Sequence, residues 1–563
     1  MSTDNMDDGP EPRVSWSTIL AVFFMGLTYV PAIATAFVMP AQILQQIGMA
    51  LGDTENIAWI PGGWSIGAAV SFSIAGGMSD IFGRRWILLG GQAIILAGAI
   101  VCALAQSTLN IVAGTTLVGF GAGTIMVAYP GISELLPNKY RGLGLAWTEL
   151  CITIPWGSLG GIIATQLYLR ASWRWCYYIT IIYAVVCIAG TFVCYFPPSR
   201  PRHDYEKTRW QQFKELDFVA FFLFASGLTI LLVGITSLGA SKWSVTMVAT
   251  TIPLGAIMFV SAFIYDFTYA KRPLFPRKIF RMYREFTVYL VILFICGMIW
   301  QAMVTLGNQG TLFMFTNDVV EIGYIATAAN ISGVIGGWIM PSLVHKLKHI
   351  KIQFIVALMF QTVFTASYAA VVPHNKLGWT ILPMFGQSCF TWLTVLSYVS
   401  SGLLVPQEDL GISAGVMGTF RSAGGSLGNA VFTTIMTSIV NRDLANNIAG
   451  AAIGAGFAPT PEGLGALIPA VIQNAVGVPG ALMGLPASAN GAVLAAAAAA
   501  FRDTYASAFR MVFYATIPLG VVAIAAAFFI RDPSHLLNNH VAVHQEKYVL
   551  GNKDAAKEGK VVD

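Results

Sequence analysis

The sequence predicts an all-α membrane protein that crosses the bilayer many times. Of its 563 residues, 56% are hydrophobic and only 10% are charged, which leaves too little polar surface to cover a water-soluble domain. The apolar residues fall into separate windows of about 20 residues, each long enough to cross roughly 30 Å of hydrocarbon as a helix. Such windows recur along the chain and indicate a bundle of transmembrane helices.

Fourteen windows of helical length lie between charged or Pro/Gly-rich breaks. They are residues 16–40, 57–78, 86–105, 109–133, 143–168, 174–196, 217–239, 244–267, 286–308, 321–343, 352–373, 377–402, 411–439 and 508–530. The first window is too long for the core of a signal peptide and lacks a cleavage pattern. We therefore expect it to be retained as span 1.

The basic residues predict the orientation of these spans. With a cytoplasmic N-terminus, 24 of the 32 Lys and Arg residues fall on the cytoplasmic side. The positive-inside rule thus places both termini in the cytoplasm, and we expect the plasma membrane as the location. Because the net charge of +5 comes from short loops between spans and not from one basic face, we expect no nucleic-acid partner.

Two basic inner loops, 200–216 and 271–285, bracket spans 7 and 8. This arrangement predicts a linker pair between two six-helix halves, a repeat common in secondary transporters. The predicted divisions are a cytoplasmic N-tail 1–15, an N-terminal half 16–199, the linker loops with spans 7 and 8 over 200–285, a C-terminal half 286–530, and a cytoplasmic C-tail 531–563.

The long connection 441–507 is predicted to lie outside the membrane. It is poor in charge and rich in Ala, Gly and Pro. Its end, 487–508, contains a run of alanines. The pattern fits a helix lying along the membrane or a flexible low-complexity loop equally well.

The motif GGMSDIFGRRW stands at the inner end of span 2. Gly76 and Gly83 permit close backbone approach and a tight turn, and Asp80 can cap a neighbouring helix. Arg84 and Arg85 hold the loop in the cytoplasm. The motif therefore indicates a structured loop at which helices meet.

The spacing of that motif resembles the signature loop of the major facilitator superfamily. The resemblance implies the major facilitator fold and a cytoplasmic latch, in which Asp80 and Arg84 hold the two halves together in the outward-open state. In that family the basic residue commonly meets an acid at the inner end of span 4, where Glu134 stands. A role for Glu134 as a salt-bridge partner is favoured over a role as a proton carrier.

Span 13 contains GTFRSAGGSLGNAV, which resembles the Arg-containing, glycine-rich helix of fourteen-span drug:proton antiporters. Arg421 lies within the span, where a charge marks a transport pathway or a buried partner; the alternative is a structural pair or a snorkelling side chain. With SWRWCYYI and ELLPNKYRGLGLAW, the pattern is similar to the fungal trichothecene efflux pump family, whose relatives include siderophore carriers.

Pro31 and Thr115 stand where antiporters usually have proton-coupling residues, and the span 5 motif is matched only loosely by IPWGSLGG.

Those departures leave Glu149, early in span 5, as the most interesting acid. A poorly solvated carboxyl group inside a membrane can bind and release a proton, and Arg421 is the second proton-coupling candidate. An equally supported interpretation places Glu149 at the membrane–water interface, where it pairs with Lys139 or Arg141 of the preceding loop.

A polar stripe on span 9 predicts a substrate cavity. Gln301, Thr305 and Asn308 follow one another at helical spacing beside Trp300, so they share one face. Three further residues from the first half are candidates for the same cavity, namely Trp64, Tyr129 and Trp156. The alternative is that the stripe makes hydrogen bonds between helices.

Other classes of protein lack support in the sequence. No G-x-x-x-x-G-K-[ST] loop is present, so ATP hydrolysis is not expected. His345 and His349 have metal-like spacing but sit in a lysine-containing inner loop. We expect no enzyme activity, no cofactor and no metal site.

The resemblance implies a monomeric secondary transporter that exports a small amphipathic toxin, drug or secondary metabolite in exchange for protons by alternating access. Proton-coupled uptake of ferric siderophores uses the same scaffold and is the nearest alternative. A membrane receptor whose halves no longer move is the alternative from another class.

Overall fold

The computed structural model describes residues 14–53, 56–57, 59–197, 218–237, 245–269, 275–475, 477–478, 480–483, 485–486 and 489–538. Over these residues the chain is helical and contains no β-strand. The predicted all-α class is confirmed. Almost all of the N-tail, most of the C-tail and the basic loop 200–216 lie outside the described residues.

Six long helical segments form the first block of the bundle. They are α1 (Trp16–Leu27, continued by Val30–Val38 and Met39–Gln42), α2 (Trp59–Phe82), α3 (Arg84–Ala103), α4 (Thr108–Ile125, continued by Ala128–Leu135), α5 (Arg141–Ile152, continued by Gly160–Arg170) and α6 (Trp175–Cys194). Serine side chains cap the start of α1 and of α4. Ser15, for example, accepts a hydrogen bond from the backbone N–H of Thr18 at 3.2 Å at the start of α1.

Nine longer helices follow in the described part of the remaining chain. They are α7 (Phe218–Ser237), α8 (Val245–Thr268), α9 (Val288–Gly310), α10 (Val319–Asn330, continued by Val334–Ile339), α11 (Ile350–Val371), α12 (Lys376–Leu404), α13 (Leu410–Gly454), α14 (Pro461–Ala475) and α15 (Gly491–Ala527). Each of the fourteen predicted windows coincides with one of these fifteen helices. The remaining helix, α14, lies between spans 13 and 14 and corresponds to no predicted window.

Ten helical segments in the described part of the chain are long and apolar enough to cross a membrane, and α2, bent by 42° after Phe72, makes an eleventh. Helices α12 and α13 fall below that threshold because they carry many Ser, Thr, Gly and Asn residues. Many of these small and polar residues are buried within the bundle. The count of fourteen spans stays a prediction.

The two blocks use the same helix pairings. In the first, α1 packs on α5 and α6, α3 packs on α4 and α6, and α2 packs on α4; in the second, α9 packs on α13 and α15, α11 on α12 and α15, and α10 on α12. Across the blocks, α2 meets α13 and α5 meets α10. Helices α7 and α8 pack on each other, with α7 against α2 and α13. The two blocks thus repeat one arrangement of helices, and the division of the chain at the predicted boundaries stays a prediction.

Glycines set the closest of these approaches. A Cβ atom on Gly424 of α13 would overlap the carbonyl oxygen of Phe294 on α9, and one on Gly119 of α4 would overlap Trp64 of α2. Close backbone approach of this kind stabilises helix association in lipid, where tight van der Waals contact is the main attraction.

At the alanine run of the connection 441–507, the structure has a helix and not a flexible loop. Helix α13 runs for 45 residues to Gly454, and α15 begins at Gly491, capped by Asn490. The two extensions pack together, and Asn447 donates a hydrogen bond to Thr504 at 2.9 Å. The alanine run is therefore part of a helical hairpin continuous with the last span, since alanine has the highest intrinsic helix propensity.

Candidate functional site

The loop between α2 and α3 holds a buried cluster of charges at the end of the bundle that we call the inner end, following the predicted orientation. Gly83 has a φ of +89°, a conformation that favours glycine, and lets α3 begin immediately with Arg84. Arg84 is 3% exposed and donates to Glu134 on α4 at 2.6 Å, while Asp80 lies 3.8 Å from the same Nη2 atom. The Arg84 guanidinium thus joins two carboxylates in one network.

Asp80 extends this network to the other block. Its Oδ2 atom accepts a hydrogen bond from the backbone N–H of Ile412 at 3.2 Å, in the first turn of α13. Helix N-termini favour anions because their first N–H groups have no partner within the helix. Gly76 brings the helices together, since a Cβ there would overlap the carbonyl oxygen of Gly411.

Arg85 faces away from this network. Its guanidinium donates to the carbonyl oxygen of Phe192 at 2.8 Å and lies 3.9 Å from the ring centre of Phe196. Arg85 therefore anchors the end of α6 and does not reach the charges that link the blocks.

A second link at the inner end was not predicted from the sequence. Arg141, at the start of α5, donates to the carbonyl oxygen of Gly402 at the end of α12. Next to it, Gly142 packs against the carbonyl oxygen of Pro341. Arg141 is thus engaged with the second block and does not pair with Glu149. The basic residue that follows ELLPNKY is the only sequence signal for this contact.

Glu149 lies at the centre of a cluster of tyrosines deep in the bundle. It is 8% exposed and accepts a hydrogen bond from the hydroxyl of Tyr129 at 2.7 Å. The ring of Tyr129 packs edge-on against Tyr29 at 5.2 Å and stacks on Tyr398 of α12 at 4.5 Å. Three helices of the first block and one of the second therefore meet at this carboxyl group.

Arg421 supplies positive charge to the same cluster. It is close enough to Glu149, Tyr129 and Tyr398 to interact with them electrostatically. It makes no hydrogen bond or ion pair with the described residues, and its side chain is only partly buried. The two proton-coupling candidates thus lie in one site that both blocks build.

A small cavity of about 40 Å³ lies toward the outer end of the bundle, among α1, α9, α10, α11 and α12. Its lining residues are Gln42, Met303, Val304, Gly307, Asn308, Thr311, Ile325, Ala326, Ala329, Asn330, Tyr368, Trp379, Pro383 and Gln387. Asn308 donates to Gln42 at 3.4 Å, which joins the outer ends of α1 and α9. This volume accommodates a few water molecules, whereas drug-sized ligands need roughly 300 Å³ or more.

Most of the predicted cavity residues lie elsewhere. Trp64 donates to the carbonyl oxygen of Ala32 at 3.1 Å, and Trp156 donates to the hydroxyl of Tyr183 at 3.0 Å. Trp300 stacks on Phe390 at 4.7 Å. These indole rings make contacts between or within helices and do not line the outer cavity.

The polar residues of the predicted stripe on α9 lie in two different environments. The side chain of Gln301 packs against Gly425 of α13, whereas Asn308 lines the outer cavity. The side chain of Thr305 lies outside the described residues. Tyr129 belongs to the Glu149 cluster instead.

The model of the fungal trichothecene efflux pump (TRI12) family matches residues 2–561. The chain belongs to that family. The trichothecene efflux pump TRI12 of Fusarium sporotrichioides is 28% identical over 544 residues, covering 94% of this chain and 88% of that protein. Its namesake from Trichoderma arundinaceum is 26% identical over 545 residues, covering 92% and 86%.

Among solved structures, the human organic anion transporter MFSD10 (TETRAN) matches with a TM-score of 0.50 at 13% identity, over 90% of this chain and 99% of that one. The likeness shows the major facilitator fold. This member of the trichothecene efflux pump family is therefore a multi-pass membrane transporter, and its relatives are transporters and not enzymes.

Sequence reasoning missed several residues that this family member brings to its central site. Tyr29 and Tyr398 lie in predicted spans, where an aromatic residue gives no signal of its own against an apolar background. Arg141 appeared only as a possible partner of Glu149. Within the described residues, no group of three or more His, Cys, Asp or Glu side chains is placed to hold a metal ion.

Proposed function

We propose that this transporter exports a small amphipathic compound, such as a trichothecene or a related secondary metabolite, in exchange for protons. Glu149 is the proton-carrying group. The observation that carries the proposal is the position of Glu149, buried between the blocks, with a hydroxyl donor at 2.7 Å and a cation nearby. An ionisable residue inside a membrane bundle is a functional candidate because its burial is costly.

Alternating access follows from how this site is shared. Tyr129 and Glu149 belong to the first block, whereas Tyr398 and Arg421 belong to the second. Loss or gain of a proton at Glu149 changes the attraction between the blocks, so each protonation state favours a different arrangement of them. A substrate that binds one arrangement better than the other is then coupled to the proton.

The charged contacts at the inner end serve as the gate in this scheme. Asp80 reaches α13 and Arg141 reaches α12, so both must separate when the site opens to the cytoplasm. We place both termini on that side of the plasma membrane because the basic loops cluster there. A single chain contains the whole site, so the working unit is a monomer.

The test uses purified protein in liposomes with an imposed pH gradient and a tritiated trichothecene. The wild type concentrates the trichothecene against its gradient while a pH-sensitive dye reports proton movement in the opposite direction. Glu149→Gln retains exchange of labelled for unlabelled trichothecene but loses uphill transport, because an amide cannot release a proton. The matched control is Glu321→Gln, which alters a half-exposed glutamate paired with Lys376 at the outer end.

Uphill transport by Glu149→Gln with an unchanged proton flux contradicts the assignment of Glu149. Absence of any trichothecene movement in the wild type contradicts export of this class of compound. Uptake of a ferric siderophore under the same gradient, in the direction of proton entry, favours the alternative function.

A further inference from the structure

The outer cavity has a distinctive chemical lining. Four carboxamides converge on it from four helices, namely Gln42, Asn308, Asn330 and Gln387. Carboxamides both donate and accept hydrogen bonds, so they can pair with one another in an empty site and with a ligand in an occupied one. The pair between Asn308 and Gln42 is an example of the first case.

Asn330 is the carboxamide of this set that has a buried, unsatisfied donor. Its Nδ2 atom is buried and has no hydrogen-bond partner among the residues that the structure describes. A buried donor without an acceptor is unfavourable, and native proteins contain few of them. The donor on α10 points to an acceptor oxygen that a ligand brings.

None of the described residues that line this cavity carries a formal charge. Transfer of an ion from water to such a site is strongly unfavourable, because carboxamides do not replace the lost hydration or supply a counter-charge. Trp379 and Tyr368 add apolar surface, with their rings packed edge to face at 5.3 Å. Apolar walls with a few placed polar groups are typical of sites for organic molecules.

From this lining we propose that the outer cavity binds an uncharged organic compound rich in hydroxyl, ether or carbonyl oxygens. The amide of Asn330 donates to one of those oxygens, and Gln387 makes a second polar contact. The proposal rests on the proposed transport function but assigns the ligand class and its residues independently of proton coupling.

The size of the cavity sets a further condition. At about 40 Å³ it is too small for such a compound, so binding requires α1 and α9 to separate at the outer end. The hydrogen bond between Asn308 and Gln42 is the contact that separation breaks. The outward-open arrangement of the blocks therefore has room for the compound at this site, which in an exporter is the site that holds the compound before its release.

Equilibrium binding to the detergent-solubilised full chain, without any gradient, tests the proposal. The probes are a tritiated trichothecene as the neutral compound, fluorescein as an organic anion and rhodamine 6G as an organic cation. The wild type binds the trichothecene at least tenfold more tightly than either dye. Asn330→Leu and Gln387→Leu each weaken trichothecene binding by tenfold or more. Asn447→Leu, which alters an exposed amide in the outer hairpin, leaves binding unchanged.

Asn330→Asp provides a second arm, since it introduces a negative charge into the cavity. It loses trichothecene affinity and gains affinity for rhodamine 6G. Thermal unfolding of each variant identifies those that fail to fold, and conclusions are drawn from whichever of the Asn330 and Gln387 variants unfolds at the wild-type temperature.

Three outcomes overturn the site. They are tighter binding of a dye than of the trichothecene by the wild type, no trichothecene binding by the wild type, or unchanged trichothecene affinity in folded variants of both Asn330 and Gln387. Because the assay contains no gradient, these results are separate from the failure of Glu149→Gln, which bears only on proton coupling.

Discussion

The carboxylate of Asp80 accepts a hydrogen bond from the backbone N–H of Ile412 at 3.2 Å, which ties the inner end of α2 to the first turn of α13. The same carboxylate lies 3.8 Å from Arg84, which in turn donates to Glu134. One buried arginine thus positions the acid that links the two blocks. The consequence is that charge changes in one short loop alter contacts between halves of the transporter.

Asp80→Asn weakens this link because the neutral amide interacts less favourably with the helix N-terminus, by about 0.3–2 kcal/mol. We expect the inner end to open more often and transport to fall several-fold. Maleimide labelling of a cysteine introduced by Ser413→Cys, which is buried in α13, reports the opening. Asp503→Asn, at an exposed position of the outer hairpin, is the control. Unchanged labelling and transport speak against a latch and favour a receptor.

Glu134→Ala removes the carboxylate that pairs with buried Arg84. Deleting one partner of a buried ion pair destabilises a protein by about 3–5 kcal/mol when the remaining charge is uncompensated. Asp80, 3.8 Å from Arg84, still compensates part of the charge here, so we expect a loss toward the lower end of that range. We expect a clear fall in the thermal unfolding temperature, and a smaller loss in the Arg84→Met, Glu134→Ala double variant than the sum of the losses in the two single variants. Additive losses in this double-mutant cycle contradict a direct pair.

Tyr129→Phe removes the hydrogen bond to Glu149 and retains the aromatic packing. We expect the protein to fold normally and the pH dependence of proton-driven transport to change, because the carboxylate loses a donor about 2.7 Å away. The readout is transport rate between pH 5 and pH 8 in proteoliposomes. Tyr505→Phe, a half-buried ring of the outer hairpin that packs on Phe313, should leave the profile unaltered. A profile that is identical for wild type and Tyr129→Phe removes Tyr129 from the coupling site.

Two glycines of the same helix provide a matched packing test. Gly424→Ala forces a methyl group against the backbone of Phe294 and should destabilise the fold by about 1–3 kcal/mol. Gly450→Ala has open space and should stabilise α13 by about 0.5–1 kcal/mol through helix propensity. Unfolding of both variants in detergent measures the difference, and equal stabilities contradict close contact between α9 and α13.

Single cysteines in an otherwise cysteine-free chain test the orientation. A probe that does not cross membranes should label Arg442→Cys from outside the cell and Lys348→Cys only after the membrane is opened. Both sites are exposed in the structure. Labelling of both from the same side contradicts the predicted topology, and with it the placement of the latch in the cytoplasm.

Much of the fold was predictable because a bilayer makes strict demands. Backbone polar groups have no water partners in hydrocarbon, so apolar stretches of sufficient length must become helices, and all fourteen windows did. The connection 441–507 escaped this logic, because outside the membrane hydropathy no longer distinguishes a helix from a loop. The high helix propensity of alanine is the sequence property that favours a helix in this connection.

The sequence by itself determined the all-α class, the helical windows and the loop that carries Asp80 and Arg84, since these depend on local composition and spacing. Only the tertiary structure decided which polar groups meet. The sequence is compatible with Glu149 either pairing with a loop base or carrying a proton, and the fold places Tyr129 beside it as a donor and Arg421 as a neighbouring charge. The rotation of each helix about its axis depends on contacts with helices distant in the chain. The hydropathy pattern of a sequence does not predict those contacts.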